Sequence, residues 1–188
     1  MLLAAPNFAQ SKELYRRCRK LYLKYNGDKP PLISDTKTSM ELQNNSRLIV
    51  ISGGNEIAPR SYRSNLIIAD ELAHCDRGMV ESALIPSMSG VVGAKFIGIS
   101  TPNGREGNLF YEYWQTEEGF DKIQVTAQES NRITPKYLAQ MRAVTRPEKY
   151  QQEFECFFVA GGDSPYFDAD VIDKCFVTLD GEMPYARV

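Results

Sequence analysis

The segment Leu66-Ile67-Ile68-Ala69-Asp70-Glu71 most narrows what this chain can fold into. Four consecutive apolar residues without polar alternation fit a strand covered on both faces, the mark of a parallel sheet. A helical pattern follows from about Asp76 to Ile85, and Lys95 to Ile99 reads as a further strand. Strand, helix and strand within about 35 residues make a βαβ unit with parallel neighbours and a right-handed crossover. The chain is therefore expected to be an α/β domain.

The flanking segments extend that expectation. Leu2 to Ala5 is another short apolar run, and Asn7 with Gln10 is a capping-box-like helix start. Leu14, Cys18, Leu21 and Tyr25 recur at helical spacing and are expected to face the core. Lys12, Arg16, Lys20 and Lys24 mark a basic stripe elsewhere on that helix. The stripe fits contact with DNA or another subunit, and it equally fits a solvated helix face. Gly27 and Pro30-Pro31 end the helix; from Leu32 to Ser52 short strands follow, with a hairpin turn at Asn44-Asn45-Ser46. Beyond the βαβ unit, Leu109, Phe110, Tyr113 and Trp114 predict a short aromatic helix, and Phe120 to Val125 one more strand. Two helices are expected at the end, one from Thr134 with Pro135 in its first turn, one from Thr145 with a Thr145/Glu148 capping box. On the last of these, Tyr150, Phe154 and Phe157 are expected to form a core stripe.

Composition excludes several classes. The 188 residues are 43% hydrophobic, with 22 basic against 24 acidic side chains and a formal charge of −2, so polyanion binding requires a local patch. No apolar run approaches the ~20 residues of a membrane helix, and the opening Met-Leu-Leu-Ala-Ala stops at Pro6, too short for a signal peptide. Cys18, Cys75, Cys156 and Cys175 form no C-x-x-C pair and read as reduced thiols of a cytoplasmic protein. His74 is the only histidine, so two-histidine metal sites are excluded.

Chemistry is expected where the Leu66–Ala69 run ends. A buried parallel strand closing in two acids sets Asp70 and Glu71 at the carboxyl edge of the sheet, where open α/β folds bind ligands. In nucleotide hydrolases the first such acid holds Mg²⁺ and the second polarises the attacking water. The same residues also fit a strand meeting a helix that favours negative charge at its start. Ser100-Thr101, ending the next strand, would lie beside the acids and sense a γ-phosphate, although Ser-Thr-Pro-Asn-Gly is also ordinary turn chemistry. No Gly-Lys pair occurs among the 188 residues, so no G-x-x-x-x-G-K-[ST] phosphate loop is present in them.

Five segments, in order, carry a resemblance: Leu3-Ala4-Ala5-Pro6 with Gln10; Leu42 to Ile49; Leu66 to Glu71; Ile99 to Gly104; and Tyr150 to Phe158. Together they resemble the large terminase subunit of tailed bacteriophages. The resemblance implies a partial three-layer P-loop NTPase sheet of the RecA type, with an inserted β-hairpin and a C-terminal helical lid. It implies residues 1–130 as an ATPase core without its Walker A segment, and 131–188 as a lid leading toward a nuclease domain. By resemblance Asp70-Glu71 is the Walker B pair, Asp70 on Mg²⁺ and Glu71 as catalytic base; Ser100-Thr101 is the coupling motif. Arg60, eleven positions before Glu71, is placed like an arginine that reaches a neighbouring subunit's nucleotide, with Arg63 close by.

ATP and Mg²⁺ are the implied cofactors. Double-stranded DNA, the portal ring, the small terminase subunit and other copies of the large subunit are the implied partners. The implied location is the host cytoplasm and, transiently, the portal vertex of the procapsid, with no membrane. Without the phosphate loop the chain is expected to be inactive alone, and a sheet without that strand is expected to be marginally stable or self-associating.

Three alternatives remain from the residues: a non-enzymatic interaction module using Lys12, Arg16 and Lys20, a helicase-type motor fragment, and a metal nuclease built on Asp163, Asp168, Asp170 and Asp173. Acids near a helix start are ordinary dipole partners, and a lone histidine such as His74 is ordinarily packed or solvated.

Overall fold

Leu2–Ala5 forms β1, all four residues buried, and every other strand of the domain is placed by reference to it. The computed structural model describes residues 1–27, 31–52, 61–105 and 107–159. Their contacts separate into two units, Met1–Thr101 and Pro102–Val188. In the first unit, β2 (Leu32–Asp35), β3 (Ser39–Leu42), β4 (Arg47–Ser52), β5 (Leu66–Asp70) and β6 (Lys95–Ile99) join β1 in the order β2-β3-β4-β1-β5-β6. The pairs β4–β1, β1–β5 and β5–β6 are parallel; β2–β3 and β3–β4 are antiparallel. The predicted hairpin extends the same sheet. Its turn works through Asn45 at φ +63° and a bond from the Ser46 amide to Asn44 Oδ1 at 3.0 Å.

Helix α1 (Phe8–Asn26) starts as the sequence predicts, with Asn7 Oδ1 accepting the Gln10 amide at 3.0 Å, and ends at Gly27 with φ +72°. Its buried stripe differs from the expectation. Ser11 and Tyr15 are buried and Leu14, Cys18 and Tyr22 pack beside them, while Leu21 and Tyr25 are 53% and 80% exposed. The cause is Tyr15, whose hydroxyl finds partners at Thr36 O (3.0 Å) and Asp35 Oδ1 (3.3 Å) and so lets the ring be buried. That rotates the inward stripe away from Leu21 and Tyr25. Tyr15 packs with Leu3, Met40, Leu48 and Val50 in one core cluster.

The crossover from β5 to β6 is helical, but not one regular helix. Asp76 caps it, accepting the Met79 amide at 2.7 Å. α2 (Arg77–Met79) then widens to a π-turn (Val80–Leu84) and tightens to a 3₁₀ turn (Ile85–Met88). Pro86 has no N–H to offer the preceding turn, which is sufficient reason for the change of hydrogen-bond pattern. Met79, Val80, Ala83 and Leu84 are fully buried.

In the second unit α3 (Leu109–Gln115) is capped by Asn108, and α4 (Pro135–Val144) by Thr134. α5 (Pro147–Phe154) begins one residue later than predicted, at Arg146. Pro147 takes the first helical position, and the Thr145 amide is spent on Met141 O, ending α4. The Thr145/Glu148 capping box therefore does not form; one forms instead at Thr126 and Glu129. Cys156 at φ +57° follows the end of α5, so Phe157 is 57% exposed while Tyr150 and Phe154 stack at 4.9 Å. Phe158 takes the inward role, its ring 5.0 Å from Tyr111 and 5.8 Å from Phe110. Phe120 to Val125 is not a strand: it has no ladder partner among the described residues, and Ile123 and Val125 are exposed.

Arg19 grips Asp35 with Nε at 2.8 and 2.9 Å from the two carboxylate oxygens and with Nη2 on Oδ2, tying α1 to β2. The Arg19 hydrogen bonds hold the Asp35 carboxyl below its ordinary range, and burial, with Asp35 alongside, pushes Tyr15 up to about 12. A carboxyl depressed in the folded state stabilises fully above its unfolded value and loses that contribution as pH falls through the folded one. Asp35→Asn is therefore expected to lower the melting temperature at pH 7 by roughly 2–4 °C. The difference should vanish in acid below the ordinary carboxylate range; a difference unchanged there would contradict the ion pair.

Candidate functional site

Parallel pairing of β5 with β6 matches Ala69 to Gly98 and Asp70 to Ile99, so the next residues, Glu71 and Ser100, leave the sheet side by side at its carboxyl edge. Their side chains meet. Ser100 Oγ donates to Glu71 Oε2 at 3.3 Å and accepts the Ala73 amide at 3.2 Å. Glu71 adopts the left-handed conformation, φ +52° and ψ +47°, and leads into a 3₁₀ turn, Leu72–His74. For a residue with a Cβ that backbone is strained, and such strain concentrates at functional sites. Turning the chain here keeps Asp70 and Glu71 at the rim instead of carrying the second acid along the strand. Both carboxylates are half-buried.

Two features hold the turn. Leu72 is buried against β6 at Gly98, where an added Cβ would lie 2.4 Å from Leu72 Cδ2. Cys75 folds back so that Sγ lies 3.7 Å from Asp70 O. Burial, and then the nearby charges of Asp70, Glu71 and Asp76, push that thiol up to about 12. Such a set of oxygen donors suits Mg²⁺, which keeps most of its water and takes one or two carboxylates together with substrate phosphates. Asp70 and Glu71 fit that partial role. No group of three or more His, Cys, Asp or Glu side chains fit to hold a metal occurs among the described residues.

The other expected residues fall elsewhere. Thr101 is half-buried next to Ser100. Arg63 is exposed and precedes the amino end of β5, the end opposite the acids, so it is not brought to Asp70 and Glu71. Arg60, Cys175 and the acids Asp163, Asp168, Asp170 and Asp173 lie outside the described residues. Lys12, Arg16 and Lys20 share the outer side of α1; Arg16 and Lys20 are exposed, and Arg16 pairs with Glu13 at 3.2 Å. The sequence reading missed Cys75 and the Ala73 amide. The 75 position is hinted at only by an odd thiol beside two acids, and the 73 amide by nothing local, because Glu71 gives no sign of a left-handed turn.

A mostly parallel α/β sheet with paired acids and a hydroxyl at its carboxyl edge places them where open α/β sheets bind ligands. No protein-family model and no curated protein matches the sequence. Among solved structures, the ATPase domain of the large terminase of Thermus phage P74-26 superposes with a TM-score of 0.63 at 18% identity, over 84% of this chain and 76% of that one. The large terminase of another thermophilic bacteriophage superposes with a TM-score of 0.68 at 17% identity, over 90% of this chain. A second structure of that protein, in complex with ADP, gives 0.66 at 13% identity, over 84% of this chain and 40% of that one. The chain spans 43% of the length of that second terminase. Its fold is that of terminase ATPase domains, a P-loop fold.

Gly98→Ala is expected to cost about 1–3 kcal/mol in chemical denaturation, through the forced contact with Leu72. Combined with Leu72→Ala, which makes room, the loss should fall short of the sum of the two singles; strict additivity would show that the two do not pack together.

Proposed function

We propose that this chain is part of the ATP-driven motor of a large terminase subunit, which packages viral DNA into procapsids. The observation that carries the proposal is the contact of Ser100 with Glu71 at the carboxyl edge between two parallel neighbours. The fold shared with terminase ATPase domains supports it. In this proposal Asp70 and Glu71 form the Walker B pair. Asp70 would hold Mg²⁺ through water, and the bound ion would offset charge on the phosphates of ATP. Glu71 Oε2 is held by Ser100, leaving Oε1 to orient a water and accept its proton. A shift of Ser100 or Thr101 would move that carboxylate, which is how hydrolysis would be coupled to movement. Arg60 would reach a neighbouring subunit's nucleotide. Residues 131–188 would serve as a helical lid. Double-stranded DNA, the portal ring, the small subunit and further copies of the large subunit would be the partners, in the host cytoplasm and at the portal vertex.

These 188 residues contain no Gly-Lys pair, so the phosphate grip must come from outside them. Positioning supplies most of phosphoryl-transfer catalysis. A purified polypeptide of these residues is accordingly expected to show no ATP turnover that Glu71→Gln abolishes. In a longer protein whose in-frame sequence before Met1 supplies G-x-x-x-x-G-K-[ST], Glu71→Gln should lower kcat by about 10²–10⁴ while ATP still binds. Full turnover in that variant would overturn the assignment of Glu71.

A second reading, an interaction module without catalysis, is favoured by the outward placement of Lys12, Arg16 and Lys20 on α1. Reversing the three charges is expected to abolish salt-dependent retention on DNA, and unchanged retention would refute it.

A further inference from the structure

A cavity opens at the other edge of the sheet, away from the acids. The amino ends of β1, β4 and β5, together with α1 and the β3–β4 turn, enclose about 650 Å³, within the range of small-molecule sites. Arg47 and Arg63 line it and no Asp or Glu does, the nearest acid in the sheet register being Glu41, opposite Arg47 on β3. Neither guanidinium has an ion-pair or hydrogen-bond partner among the described residues. Two unpaired guanidiniums beside one hollow repel each other and attract an anion. The rest of the lining supplies the complement for a flat polar ring, with Tyr22 and Tyr62 as aromatic surface and Asn45 and Asn65 as amides that both donate and accept.

We propose that this cavity binds a phosphate-bearing ligand with a planar ring: a nucleotide, either free or as a unit of a single-stranded nucleic acid. The forks of Arg47 and Arg63 take the phosphate in bidentate fashion, Tyr62 takes the face of the ring, and the asparagine amides meet its edge. The site is separate from Asp70 and Glu71 and requires no divalent cation.

The test uses the whole chain in EDTA, which removes any metal-dependent binding at the acidic edge. ATP and inorganic pyrophosphate are titrated by calorimetry; a labelled oligothymidylate and a duplex of equal length are titrated by fluorescence anisotropy. Binding of ATP is expected, weakening with salt and falling at least tenfold in Arg47→Ala/Arg63→Ala. Arg47→Lys/Arg63→Lys, which keeps the charge but not the fork, should lose less, and this pair also serves if the alanine variant fails to fold. Lys37→Ala, an exposed cation outside the cavity, should change nothing. Single strands binding at least tenfold more tightly than ATP would make a nucleic-acid strand the source of the ligand, and equal affinities would make it the free nucleotide. No binding of ATP or oligothymidylate overturns the proposal. So does binding that survives both arginine pairs unchanged, or that Lys37→Ala weakens equally.

Discussion

The parallel register between β5 and β6 is the constraint on which the rest depends. Because Asp70 stands opposite Ile99, the residues that follow, Glu71 and Ser100, must leave the sheet at the same level about 5 Å apart. Everything chemical at this edge follows from that one alignment. A slip of one residue would turn Asp70 to the other face and separate the carboxylate from the hydroxyl. The register is enforced from below, where Ile67 and Ala69 are fully buried with no tolerance for a polar neighbour. From the side it is enforced by Gly98, the position of β6 that leaves room for Leu72.

The edge is held at some cost to local stability. Glu71 occupies a left-handed conformation, and three carboxylates crowd a half-buried thiol. Strain and like charge together are what a domain tolerates when the arrangement is needed for something other than folding. At the opposite edge two guanidiniums, Arg47 and Arg63, line a cavity.

Much of this was legible in the sequence because it rests on short-range rules. Uninterrupted apolar runs at 2–5 and 66–69 give buried parallel strands, and Asn7, Asp76 and Thr134 act as the helix caps their side chains favour. The pairing of Glu71 with Ser100 was also within reach, since a βαβ unit aligns its strand ends. What was not legible depends on partners distant in the chain. Tyr15 is buried because Asp35 and Thr36 meet its hydroxyl, and no periodicity in α1 reveals that. Phe120 to Val125 holds strand-favouring Phe, Ile and Val, yet such residues do not supply the neighbouring strand that a ladder requires. Phe158 rather than Phe157 enters the aromatic group because Cys156 turns the chain at positive φ, a conformation that cysteine does not announce.

The most direct test is a double-mutant cycle on folding stability with Glu71→Ala, Ser100→Ala and the double variant. A partly buried hydrogen bond to a carboxylate predicts a coupling of about 0.5–1.5 kcal/mol, so that the second substitution costs less once the first is made. Coupling indistinguishable from zero would mean that the carboxylate and the hydroxyl do not meet, and the arrangement of the carboxyl edge described above would not exist.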